Sequence, residues 1–152
     1  LDRIFIRKTI QIAARAAMRG NRPFGALLIS ADGTKLGEGE NSQLTTDQVL
    51  AHAEMNLLHE AVQNHERSVL SKSTIYTSAE PCAMCAGAIF WSGVGRLVFG
   101  ISGKRLHELS DFAPDMLLAS SREVLSQAGR KIHIVGPLLE EEAETLFINA
   151  TR

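Results

Sequence analysis

With 152 residues, 45% apolar and 22% charged, the chain has the composition of a globular protein long enough for one sizeable core. Its 16 basic and 17 acidic side chains leave a formal net charge of -1, which argues against a dedicated polyanion binder. No apolar run approaches the roughly 20 residues that cross a bilayer, and two cysteines three positions apart are not a secreted disulfide framework. The opening LDRIFIRKTIQ is too charged for the apolar segment of a secretory leader, so a cytoplasmic location is expected.

Residues 3–19 read as an amphipathic helix. Ile6, Ile10, Ala13, Ala14 and Ala17 recur at helical spacing, and Arg7, Gln11, Arg15 and Arg19 form a second, solvated stripe. Gly20-Asn21-Arg22-Pro23 ends it. Gly25–Ser30 reads as a buried strand, and the turn Ala31-Asp32-Gly33 leads into a second strand through Gly39. So short a connection predicts an antiparallel hairpin. A loop at 45–50 precedes a helix from about Ala51 to Asn64, with Leu57, Leu58, Ala61 and Val62 toward the core. Ser73–Ser78 is a short β-branched strand. Pro81 suits the start of a helix that runs to Phe90 or Trp91. Arg96–Phe99 forms a fourth strand, Pro114–Gln127 a helix, and Lys131–Val135 a fifth strand. Pro137 opens a last helix, whose early glutamates suit the positive end of its dipole. The order predicts one layered α/β domain over residues 1–152, with helices covering a mixed sheet.

Chemistry concentrates in two strings, His52-Ala53-Glu54 and Pro81-Cys82-Ala83-Met84-Cys85. Cys82 and Cys85 fall in the first turn of a helix, where the dipole favours thiolates. With His52 they make a two-sulfur, one-nitrogen set that suits tetrahedral Zn2+ and leaves the fourth position to water. Zinc with two thiolates and a neutral imidazole is formally neutral and acidifies water only weakly. A nearby base therefore gains importance, and Glu54 is the candidate. A redox Cys-x-x-Cys pair and a structural zinc site with an unseen fourth ligand are the competing readings. His59 lies seven positions from His52, roughly 10 Å along a helix, too far to replace it. His65, His107 and His133 carry no ligand pattern.

The combination of HAE at 52–54 and EPCAMCAGAI at 80–89 resembles the zinc-dependent cytidine/deoxycytidylate deaminase superfamily. PFGALL at 23–28, EGEN at 38–41 and GRLVFG at 95–100 extend the resemblance over nearly the whole chain. It implies a three-layer α-β-α sandwich with a five-stranded mixed sheet, assembled as a homodimer or larger oligomer. It also implies zinc on His52, Cys82 and Cys85, with Glu54 shuttling protons while a ring amino group leaves as ammonia.

For the substrate the strings point two ways. Phe24, Asn41 and Trp91 look like the residues that shape and read the purine pocket in the guanine deaminase branch. Cys85-Ala-Gly-Ala and Gly95–Gly100 look like the bacterial tRNA adenosine deaminases. Asp111 is a possible acidic accessory and Phe147 a possible closing aromatic. The expectation is a free-nucleobase deaminase with guanine first. Cytosine or another small heterocycle, and tRNA adenosine, are the alternatives, and a noncatalytic zinc domain comes last. In the nucleobase reading, Trp91 and the C-terminal helix narrow the entrance.

Overall fold

The computed structural model describes residues 1–151. In chain order the elements are α1 (Asp2–Met18), β1 (Gly25–Ile29), β2 (Lys35–Glu40), α2 (Gln43–Thr46), α3 (Ala53–Asn64), α4 (Arg67–Leu70) and β3 (Thr74–Ala79). They continue as α5 (Ala83–Ser92), β4 (Arg96–Ile101), α6 (Gly103–Leu109), α7 (Ser121–Leu125), β5 (His133–Val135) and α8 (Glu140–Ala150). The strands form one sheet in the order β2-β1-β3-β4-β5. As the short turn predicts, β1 and β2 pair antiparallel, with Gly25 opposite Glu40. β1 also runs antiparallel to β3, while β3–β4 and β4–β5 are parallel, so the sheet is mixed.

Side-chain alternation along the strands builds two faces. Ala26, Leu28, Ile75, Leu97 and Phe99 point to the side covered by Leu57 and Leu58 of α3 and by Ala86 and Ile89 of α5. Leu27, Ile29, Tyr76 and Val98 point to the other side, covered by Phe5, Ile6 and Ile12 of α1. The result is the expected helix–sheet–helix sandwich. Gly39 lets α3 lie close on β2: a Cβ there would collide with the Ala53 carbonyl oxygen, at the start of the helix that carries Glu54.

The register brings Phe24 before β1, Asn41 after β2, Glu80 after β3 and Ser102 after β4 to one edge of the sheet. A third apolar cluster, Ala79, Ile101, Leu106 and Ala143, sits at that edge, with Phe24, Leu109 and Phe147 packed on it.

Two expected helices start late. The stretch read as a helix from Pro114 is irregular through Ala119, and only Ser121–Leu125 is helical. The stop signal lies upstream, where Asp111 and Phe112 both take left-handed backbone angles (φ 52 and 50). The start signal is Ser120, whose hydroxyl accepts from the Glu123 amide while the Glu123 carboxylate accepts from the Ser120 amide. Leu117 and Leu118 are exposed, so the apolar pattern that suggested a longer helix has no core to face. The last helix begins at Glu140 rather than Pro137, after Leu139 in the left-handed region. Short helices α2, α4 and α6 fall where no helical periodicity was read. Among the described residues, no helix is long and apolar enough to cross a membrane.

Asp2 ties α1 to the sheet. Its carboxylate accepts two hydrogen bonds from the Arg96 guanidinium, at 2.9 and 2.7 Å, and one from the Tyr76 hydroxyl at 2.7 Å. The Arg96 bonds, against a desolvation cost, hold its carboxyl down at about 2. A depressed carboxylate stabilises the fold above its unfolded pKa and ceases to do so as pH falls through the folded value. Asp2→Asn is therefore expected to lower stability by about 1 kcal/mol near neutrality, since the pair is partly solvated. In urea titrations the difference from the parent protein should shrink as pH falls from about 4 to about 2.

Candidate metal centre and active site

Both sequence strings fold as helix starts. His52 is the N-cap of α3 (φ -68, ψ 155) and Cys82 the N-cap of α5 (φ -67, ψ 175), so Glu54 and Cys85 lie in first helical turns. This layout aims two positive helix ends at one point. The two chain segments, thirty residues apart, meet there. His52 Nδ1 lies 3.5 Å from Cys85 Sγ and 3.7 Å from Cys82 Sγ, and the three ligand atoms all fall within 4.8 Å of one another.

These distances fit zinc. With Zn–S near 2.3 Å and Zn–N near 2.0 Å, a tetrahedral nitrogen–sulfur edge is roughly 3.5 Å. The three side chains are thus placed to hold the metal through Nδ1 and two sulfurs. Among the described residues no fourth His, Cys, Asp or Glu joins the group, which fits a site with one open position better than a closed structural one.

Charge at the site agrees with that role. A hydrogen bond from the Cys85 thiol holds Cys82 down at about 4, against burial and with further help from His52. Cys85, which donates that bond and is buried, is pushed far up. One thiolate is stable between the two sulfurs, and a divalent cation would allow both to ionise. The Cys82 sulfur raises the His52 ring, while burial and the charge of Arg22 pull the other way.

Glu54 is only 7% exposed. Burial raises its carboxyl to about 7, and the Cys85 thiol beside it pulls in the opposite direction. A carboxyl with nearly equal tendencies to hold and release a proton suits proton transfer.

The remaining expected residues divide into three groups. Phe24 stands at the site edge with its ring centroid 6.2 Å from that of Phe147 on α8, so the C-terminal helix does reach this end. Asn41 is buried, and its amide is committed to Gln43: Nδ2 donates to Gln43 Oε1 at 2.7 Å and Oδ1 accepts from the Gln43 amide at 3.1 Å. It also borders a polar cleft of about 700 Å3 with Arg15, Arg19 and Glu40. That cleft is lined by none of the three metal-site ligands and is separate from the chemistry.

Trp91 and Asp111 are both exposed. Trp91 lies six residues past Cys85, roughly 9 Å along the axis, with its ring against Phe90 and 78% of its surface exposed. It thus stands at the far end of α5, with the sulfurs at the near end. Asp111 is exposed in the turn after α6. His59 is exposed on α3, as its helical distance implied.

One residue was missed. Glu80, immediately before Pro81, accepts from the Gly103 amide at 2.9 Å and from the Ser121 amide and hydroxyl at 3.0 and 2.6 Å. Its sequence signal was its place at the head of the EPCAMCAGAI string, where the residue types alone assign it no partner.

Several known proteins are similar to this chain. The cytidine and deoxycytidylate deaminase zinc-binding region matches residues 1–101. A probable cytosine deaminase of Schizosaccharomyces pombe is 35% identical over 144 residues, covering 93% of this chain and 87% of that protein. A tRNA-specific adenosine deaminase of Haemophilus influenzae is 35% identical over 133 residues, covering 83% and 77%. The solved structure of a guanine deaminase from Nitrosomonas europaea superposes with a TM-score of 0.81 at 25% identity, covering 97% of this chain and 83% of that one. The helix-capping histidine and cysteines, the mixed five-stranded sheet and these matches have one meaning: the chain belongs to the cytidine and deoxycytidylate deaminase family of zinc-dependent hydrolytic deaminases.

Proposed function

We propose that the chain deaminates a free amino-substituted nucleobase, with guanine, converted to xanthine, as the leading substrate. The observation that carries this reading is the course of α8 along the site edge. Glu140 accepts from the Ser102 amide at 2.7 Å beyond β4, Ala143 packs beside Ile101, and Phe147 meets Phe24 at the start of β1. A helix closing that side, with two aromatic rings facing each other, suits a small flat ring better than a nucleic-acid loop.

The cations favour the same side. Arg7 pairs with Glu142, Arg15 and Arg19 with Glu40, and Arg105 with Glu144. Arginines already matched to carboxylates make a poor track for phosphates. A guanine deaminase among the structural neighbours supports the named purine. Cytosine is the second reading, supported by the yeast relative that aligns with most of this chain. A homodimer of one deaminase domain, working in the cytoplasm, completes the proposal.

In this mechanism His52, Cys82 and Cys85 hold zinc, which supplies, when bound, the positive charge that makes a water nucleophilic near neutral pH. Glu54 takes the proton of that water and delivers it to a ring nitrogen of the base. The ring carbon that bears the amino group becomes tetrahedral. Glu54 then takes the proton of the new hydroxyl and hands it to the amino nitrogen, the C–N bond breaks as that oxygen becomes the carbonyl, and ammonia leaves. Water in and ammonia out balance the reaction, and Glu54 ends as it began. Burial of Glu54 serves these steps by keeping its proton affinity near that of its partners.

An ammonia-release panel with zinc-loaded protein is expected to show turnover of guanine or another free base above nucleosides and a tRNA anticodon stem-loop. Turnover of the stem-loop alone would overturn the free-base assignment. Glu54→Gln should keep stoichiometric zinc and lose about 10²-fold or more in kcat, as measured by metal content and steady-state rates. Cys85→Ser should lose stoichiometric zinc, and full retention would contradict the ligand set.

A further inference from the structure

Three helices start around one side chain. β3 ends at Ala79, Glu80 follows, and Cys82 caps α5 two residues later. The Glu80 amide donates to the Ile101 carbonyl at 2.8 Å, which fixes its backbone against the end of β4. One carboxylate oxygen takes the amide of Gly103, the first residue of α6; the other takes the amide and hydroxyl of Ser121, the first residue of α7. Ser121 is fully buried. A single carboxylate thus closes the 103–121 excursion on itself, directly beside the turn that delivers a zinc ligand.

Between the two anchors, α6 is also tied to α8 by the Arg105–Glu144 pair, but the stretch after it has little else to hold it. α7 is docked by Leu125 in the main core and α6 by Leu106. From Ser110 to Ala119, however, the chain is irregular, with Asp111 and Phe112 both at positive φ and with Phe112, Leu117 and Leu118 exposed. The His107 ring sits next to Gly103, beside the anchored oxygen, and the Phe112 ring centroid is 6.5 Å from it. The excursion therefore returns its one aromatic toward the anchored edge.

We propose that Glu80 is a positioning residue for the deamination reaction: its carboxylate pins both ends of the 103–121 segment beside the Cys82 turn and so holds α6, whose Leu106 and Leu109 pack with Phe24 and Phe147 at the edge of the site. His52, Glu54, Cys82 and Cys85 are placed by α3 and α5, so loosening the pin leaves the chemistry assembled and disturbs the pocket wall. Binding should suffer before catalysis does. The inference rests on the deaminase reading of the metal centre and not on which base is the substrate.

Glu80→Gln keeps a carbonyl for only one of the two anchored amides and turns an NH2 toward the other, two donors facing each other. Ser121→Ala removes the hydroxyl bond and leaves both Glu80–amide bonds, so it tests the same link if the first variant folds poorly. Zinc content, amide hydrogen exchange across 103–121 and steady-state kinetics on the best substrate of the panel read the outcome. For Glu80→Gln we expect unchanged zinc stoichiometry, about tenfold faster exchange at Ser121 and through 110–121, and about a tenfold rise in KM with kcat within about threefold. Ser121→Ala should move exchange and KM the same way by less. Unchanged exchange and KM in both variants would refute the proposal, as would loss of zinc, or a fall in kcat at constant KM. Exchange and metal content need no substrate, so failure of the guanine assignment is distinguishable from failure of this one.

Discussion

The pairing of β1, β3 and β4 is the constraint on which the rest of the molecule depends. Antiparallel on one side of β3 and parallel on the other, it brings the segments flanking Gly25, Ala79 and Ile101 to a common edge. Each parallel crossover returns a helix whose start lies at that edge, and α3 begins there after the hairpin. Side chains in the first turns of α3 and α5 then meet without any long loop to hold them. Metal ligands carried on helix ends of a packed sandwich are fixed by the core rather than by local sequence.

Electrostatics follow from that geometry. Helix N-termini favour negative groups, and the site collects two sulfurs and a buried carboxylate at such ends. The same preference explains Glu80, which satisfies amides at the starts of two more helices, and Glu140, which takes the Ser102 amide. These carboxylates perform different tasks. Glu54 is buried and its proton affinity is raised, whereas Glu80 has its acceptor sites filled by donors. Burial that outweighs its hydrogen bonds raises the Glu54 carboxyl, whereas donors on both oxygens make Glu80 a brace.

Elements beyond the central sheet and its two main helices are held in other ways. α8 docks through Ala143 and Phe147 and ion-pairs with α1 and α6 through Glu142 and Glu144. The 110–119 stretch has few buried groups. The metal ligands thus sit on packed helix starts, while the 110–119 stretch has few buried contacts to fix it.

The sequence by itself determined the chemistry. His52, Glu54, Cys82 and Cys85 were legible because ligand type and short spacing carry the information, and because an N-terminal helix turn is a local event. The hairpin and the strand–helix alternation were legible through periodicity and turn residues. Tertiary structure alone decided the remainder. Whether Trp91 reaches the metal depends on which end of α5 it occupies relative to a partner thirty residues away, and Asn41 depends on whether Gln43 claims its amide. The irregular 110–119 stretch has an apolar pattern like a helix, and only the absence of a core facing Leu117 and Leu118 reveals otherwise. Glu80 shows the difference most clearly: its partners, Gly103 and Ser121, are distant in the chain and carry no motif, so its hydrogen bonds exist only once the sheet has set the ends of β3 and β4 side by side.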